Sequence, residues 1–192
     1  MLLLQRTQNP QTKEVSRELY TRVSKFLKTP KIGRFKATDA DKDLELSICK
    51  ELFELSNHVL PPKDLSEEFA EIDAYINGEG VQIKCRNGSN FLTLEDYKTR
   101  STGERTSWVD RNMSQYTVFV FTTYEPCLTY CIYETSDLKR LLNLLRKAKS
   151  GEQITKLDEH WLDIYFKNWK YYEYSVLDKN KSTECALYKV LI

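Results

Sequence analysis

The sequence predicts an α/β or α+β fold, in which a mixed, partly antiparallel sheet is flanked by helices. Three observations carry this expectation. Segments with an apolar residue every three or four positions alternate with short segments in which every second residue is apolar, so helices and strands are interleaved. A nearly continuous apolar run at 116–122 reads as a buried strand. With 6 Gly and 5 Pro among 192 residues, collagen-like and low-complexity architectures are excluded. At this length one domain is expected over 1–192. Hydrophobic residues at 41% against charged residues at 30% suffice for a packed core.

The elements follow in order. Val15, Leu19, Val23 and Phe26 form an amphipathic stripe, which predicts a helix over 12–28 that Thr29-Pro30 ends. Leu44, Ile48, Leu52 and Leu55 predict a second helix over 41–56, and Pro61-Pro62 breaks the pattern after it. Ile72, Ala74 and Ile76 alternate with Asp73 and Tyr75. Val81, Ile83 and Cys85 alternate with Gln82, Lys84 and Arg86. These are two strands, and Asn77-Gly78-Glu79-Gly80 between them has turn composition. Residues 87–115 are polar and show no clean period. Strands are expected at 116–122 and 128–133. Ser136 is a candidate cap for a helix over 137–149, whose face carries Leu138, Leu141, Leu142 and Leu145. Thr155 and Asp158 form a capping-box pattern opening a helix over 156–169. Segments 171–177 and 185–191 read as a closing hairpin. No repeat and no flexible linker is evident.

Composition narrows the function classes. Five Cys are an odd number and form no disulfide framework, which implies a reducing, cytoplasmic setting. The apolar start, Leu2 to Leu4, is too short for a signal peptide, and no stretch has the length of a membrane span. No membrane partner is therefore expected. A Gly-rich phosphate loop is missing, so no nucleotide cofactor is expected. The net charge of +1 neither demands nor excludes a nucleic-acid partner, because local patches matter more than the total. His58 and His160 read as structural, and Cys127 and Cys131 as small buried hydrophobes without zinc-site spacing.

The chemistry lies in the hairpin over 71–86. With residues 77–80 as a four-residue turn, Ile76 faces Val81, Ala74 faces Ile83 and Ile72 faces Cys85. A one-residue slip would put charges in the core. The opposite face then holds Asp73, Tyr75, Gln82, Lys84 and Arg86. Asp73 lies opposite Lys84, at roughly 4.5–5.5 Å between Cβ atoms, and diagonal to Gln82. A carboxylate and an amide oxygen are hard ligands that suit Mg2+, and a neighbouring amine can hold a water or stabilise phosphate charge. An exposed cross-strand ion pair with no function has the same signature.

The segment Glu71-Ile72-Asp73-Ala74-Tyr75-Ile76, followed by Gly80-Val81-Gln82-Ile83-Lys84, resembles the PD-(D/E)xK nuclease superfamily, in which an acid is followed about ten residues later by (D/E)xK on the next strand. The run from Asp43 to Ile48 resembles the family's helix glutamate segment, and the run from Tyr130 to Leu138 its later strand and helix. The resemblance covers about 41–149. It implies a restriction-endonuclease-like mixed sheet, with the helix at 12–28 and the helix–hairpin at 155–192 as additions. It also implies a metal-dependent DNA endonuclease, of restriction or mobile-element type, that uses Mg2+, with Mn2+ as a substitute. Asp73 and Gln82 would be metal ligands, Lys84 the catalytic lysine, and Glu45 the helix carboxylate, with Glu51 as the alternative to Glu45. Gln82 departs from the family's usual acid. A helix is implied within 87–115, and a homodimer is implied by the family's way of cutting both strands.

From Lys84 to Arg111 the bases exceed the acids by two. Lys84 apart, the basic residues are Arg86, Lys98, Arg100, Arg105 and Arg111. With Asn87 and interleaved Ser and Thr, they form a candidate DNA-facing loop. Two other function classes stay open. One is a nucleic-acid-binding protein that kept the nuclease fold and lost catalysis. The other is an interaction protein whose aromatic C-terminal region meets a partner.

Overall fold

In the computed structural model the described residues are 4–7, 10–28, 38–53, 58–86, 92–98, 105–166, 172–178 and 185–190. In chain order they form β1 (Gln11–Glu14), α1 (Arg17–Lys28), α2 (Asp39–Phe53), β2 (Val59–Leu60), α3 (Leu65–Phe69), β3 (Ala74–Ile76), β4 (Glu79–Arg86) and β5 (Leu92–Lys98). Then come β6 (Arg105–Ser107), α4 (Trp108–Arg111), β7 (Tyr116–Thr122), β8 (Cys127–Glu134), α5 (Thr135–Ser150), α6 (Lys156–Phe166), β9 (Tyr172–Asp178) and β10 (Cys185–Val190). The fold is mixed α/β. The chain divides into two compact units, one drawn from 1–89 and 112–135 and the other from 90–111 and 136–192.

Among the described residues the first unit holds a six-stranded mixed sheet in the order β1-β8-β7-β4-β3-β2. Only β4 and β7 run parallel; the other neighbours are antiparallel. The helical stripes pack on this sheet as their periodicity requires. Leu19 and Val23 of α1 and Leu44, Ile48 and Leu52 of α2 are buried with Ala74, Ile76, Val81, Ile83, Val118 and Val120. Each of the Val, Leu and Ile side chains contributes about 1.5–3 kcal/mol by leaving water.

The first helix is shorter than expected. Residues 12–14 belong to β1, where Thr12 pairs with Thr129. The reason is Ser16, whose Oγ accepts the Leu19 N–H and whose carbonyl accepts that of Tyr20. An N-cap takes non-helical backbone angles, so the helix cannot extend back through it. The sequence pattern also missed β2 and α3. Asp64 caps α3 by accepting the N–H groups of Ser66 and Glu67.

The hairpin forms, with a tighter turn than the four residues expected. Asn77 (φ 53°) and Gly78 (φ 86°) are both left-handed, as a two-residue type I′ turn requires. The pairs are therefore Ala74 with Val81, Tyr75 with Gly80 and Ile76 with Glu79. Just before β3, Asp73 donates its N–H to the Val81 carbonyl at 2.9 Å. Relative to the expected register the strands slide by two residues. An even slip leaves every side chain on its own face and changes only its cross-strand partner.

The second unit holds a four-stranded sheet in the order β10-β9-β5-β6 among the described residues. Its β9–β10 hairpin is the one expected at the C-terminal end. The described parts of 87–115 hold β5, β6 and the single turn α4, where the resemblance implied a helix. The parallel partner of β5 is β9, far along the chain, so the pairing leaves no local period to read. Helix α5 begins at Thr135, which places the expected cap Ser136 inside it, and Leu138, Leu141, Leu142 and Leu145 are buried. The Thr155 box opens α6 as anticipated: Thr155 Oγ1 accepts the Asp158 N–H and donates to Asp158 Oδ2. No described helix is long and apolar enough to cross a membrane.

Candidate active site

The site is built on β4 and the chain entering β3, within the first unit. The β3–β4 pairing ends at Ala74 with Val81, so Asp73 lies just outside it, whereas the four-residue turn had placed it within the pairing, opposite Lys84. Asp73 Oδ2 accepts the backbone N–H of Ile83 at 2.7 Å, which pins the carboxylate across the ladder. Asp73 keeps some surface exposure, but the protein packed around it pushes its pKa up to about 6. Burial is the main cause, and the Glu71 and Glu68 carboxylates add to it. The Lys84 ammonium and the Ile83 N–H oppose the rise.

Glu71, which lies outside the β3–β4 pairing, reaches Gln82 and Lys84 through its side chain. Glu71 Oε2 accepts from Gln82 Nε2 at 2.6 Å and from Lys84 Nζ at 3.2 Å. How Glu71 arrives there is a matter of helix termination. At the end of α3 the Ile72 N–H reaches back to the Glu67 carbonyl, and the Glu71 N–H to that of Glu68. This is a Schellman motif, which puts Glu71 at the left-handed position that glycine usually fills, with φ 60°. A side chain at that angle costs about 1–2 kcal/mol.

Behind Gln82 lies a buried polar network. Gln82 Oε1 accepts from Asn112 Nδ2 at 2.8 Å, and the same nitrogen lies 2.9 Å from Thr117 Oγ1. Asn112 Oδ1 accepts the Ser114 backbone N–H at 2.9 Å. A backbone N–H can only donate, so it fixes which end of the Asn112 amide is oxygen. Asn112 in turn fixes the Gln82 amide. Gln82 thus turns its oxygen to Asn112 and its nitrogen to Glu71. Gln82, Asn112 and Thr117 are fully buried, and such networks hold their members in one arrangement when every group is partnered. The segment is anchored by the Met113 N–H, which donates to the Ala70 carbonyl at 2.8 Å beside the Schellman turn.

The other expected residues fall as follows. Glu45 is half-buried on α2. The thiol of buried Cys49 is pushed up by burial first, then by Asp73 and by Glu45, so both carboxylates are within electrostatic reach of one sulfur. Glu51 is engaged elsewhere: it accepts the Ser16 N–H and hydroxyl at 2.7 Å, at the start of α1. Arg86 ends β4. Lys98 and Arg105 pair across β5 and β6, and Arg111 is exposed at the end of α4, all in the second unit. Asn87 and Arg100 lie outside the described residues. His58 and His160 are exposed. Cys127 and Cys131 are buried and free, and burial pushes the Cys131 thiol up to about 12.

Glu71 and Asn112 were not singled out by the sequence pattern as site residues. Neither carried a readable signal: Glu71 lies outside the β3–β4 pairing, at the left-handed end of α3. Among the described residues no group of three or more His, Cys, Asp or Glu side chains is arranged to hold a metal ion. Comparison with protein-family models, with curated proteins and with solved structures yields no match to this chain.

Proposed function

We propose that this protein is a metal-dependent nuclease that hydrolyses phosphodiester bonds in DNA, with Asp73 and Lys84 at its reacting centre. The observation that carries the reading is Asp73 within electrostatic reach of the Lys84 ammonium, beside the carboxylate on which Lys84 and Gln82 meet. The order of elements supports it: a helix with Glu45, then the hairpin, then the β8–α5 strand and helix. We read the first unit's sheet as restriction-endonuclease-like on that order.

The donor set fits a hard divalent cation. Asp73 commits Oδ2 to the Ile83 N–H, and Oδ1 has no hydrogen-bond donor among the described residues. Mg2+ usually takes one or two carboxylates and completes its shell with water and phosphate oxygens. That habit suits a site without three clustered protein ligands. Bound Mg2+, or Mn2+ in its place, would polarise the phosphate and lower the pKa of a coordinated water. Asp73 would hold the ion, with Glu45 as the helix carboxylate. Gln82 would join only by releasing its oxygen from Asn112. Lys84 is placed to hold the attacking water or to hydrogen-bond a phosphate oxygen as negative charge develops on it.

The basic residues Arg86, Asn87, Lys98, Arg100, Arg105 and Arg111 remain the proposed DNA contacts, and a homodimer the proposed assembly. Arg100→Ala and Arg105→Ala should weaken DNA binding and flatten its salt dependence. The test of the activity is direct. Purified protein should cut long, sequence-diverse DNA with Mg2+ or Mn2+, and excess chelator should stop it. Failure to cut any DNA or RNA under these conditions would overturn the reading.

One observation favours a second reading, a catalytically inactive nucleic-acid-binding protein: Gln82 stands where the family usually has an acid, and Lys84 is ion-paired to Glu71. That protein would bind nucleic acid at low salt without any metal-dependent stabilisation.

A further inference from the structure

We infer that Glu71 is the second carboxylate of this site and that Gln82 is a positioning residue that holds it, not a ligand. The inference rests on the nuclease reading above and says where the acid missing from position 82 has gone.

Accessibility separates the two side chains. Gln82 is 0% exposed, so an ion or phosphate arriving from solvent does not reach it. Glu71 keeps 18% of its side-chain surface and Lys84 22%. Orientation separates them as well. The chain of donors from the Ser114 N–H through Asn112 leaves Gln82 presenting an N–H toward Glu71, with its oxygen turned away. An amide nitrogen is no ligand for a hard cation, but it is a good donor to a carboxylate. A carboxylate at position 82 would also be fully buried, and it would meet Glu71 Oε2 at the 2.6 Å contact the amide now makes, which two anions cannot share. An amide at 82 is thus what a carboxylate at 71 requires. The acid has moved from the second strand of the hairpin to the turn before the first.

The plain alternative is that Glu71 only neutralises Lys84. Titration of the full chain with Mn2+ alone, followed by thermal unfolding, separates the possibilities. Wild type should be stabilised by Mn2+, and Asp73→Asn should lose that response. Glu71→Gln keeps the size and a hydrogen-bond partner for Gln82, and it should weaken the apparent Mn2+ affinity at least about tenfold. Gln82→Ala should weaken it by less than Glu71→Gln does. Should Glu71→Gln fail to fold, Glu71→Asp keeps the charge and draws it back by one methylene, and its Mn2+ affinity should also fall. An undiminished affinity in the folded Glu71 variant, or a larger loss in Gln82→Ala than in Glu71→Gln, overturns the inference and leaves the nuclease reading standing. Absence of any Mn2+ response in wild type removes that reading and the inference with it.

Discussion

Two polar clusters each set an aspartate near a basic side chain, to opposite effect. In the second unit Arg140 lies 4.3 Å above the ring of Trp161 and donates to Asp158 Oδ1 at 3.0 Å, while Thr155 donates to the other oxygen. These contacts favour the ionised acid, and the Thr155 hydroxyl and then Arg140 hold the Asp158 pKa below its ordinary value. In the first unit Asp73 faces burial and two neighbouring acids, and one amine only partly offsets them. The first arrangement is one that stability alone would select. The second holds a charge in a place that disfavours it, beside a backbone angle that disfavours its residue. Such combinations gather at functional sites, because chemistry needs groups that folding would rather neutralise.

Ways to break that contrast run from large effects to small. Asn112→Ala should cost about 2–4 kcal/mol in urea unfolding, because it strips partners from buried Gln82, Thr117 and Ser114 together. A loss under about 1 kcal/mol would mean that the network does not hold Gln82 in place.

Asp73 should make stability depend on pH with a definite sign. Its folded pKa, about 6, lies above its ordinary 3.8. The folded state therefore keeps the proton where the unfolded chain has lost it. The resulting stabilisation is complete below about pH 4 and gone above about pH 6, a span of roughly 2–3 kcal/mol. Asp73→Asn should remove that part of the slope. Identical pH profiles for the two proteins would contradict the burial argument.

The smallest change belongs to the other cluster. Arg140→Ala should lower the urea midpoint slightly, by an amount that shrinks at high salt, and leave any cleavage unaltered. A midpoint equal to wild type at low salt would show that this cluster contributes nothing.

Much of the fold was legible because periodicity is local. The stripes Leu19–Val23 of α1, Leu44–Ile48–Leu52 of α2 and Leu138–Leu141–Leu142–Leu145 of α5 are buried as they read. Period-two alternation put Asp73, Gln82 and Lys84 on one face. Alternation is blind to an even slip, however, so the cross-strand partners had to come from turn chemistry, and Asn77-Gly78 was the informative pair. Three features escaped for physical reasons. Strand β1 was hidden behind a helical pattern that Ser16 cuts short. Strand β5 gains its partner β9 from the distant end of the chain. Glu71 enters the site through a left-handed helix terminus, a place where residue type argues for glycine and against glutamate. The legible part of the site was the part carried by regular strands, and the missed part sits on the turns beside them.

The most direct test of the central claim compares wild type with Lys84→Ala on the same DNA with Mg2+, measuring single-turnover cleavage and binding together. The account predicts that both proteins fold and bind DNA, and that the variant cuts at least about a hundredfold more slowly. A wild-type protein that binds DNA without cutting it, or a Lys84→Ala protein that cuts at the wild-type rate, would contradict it.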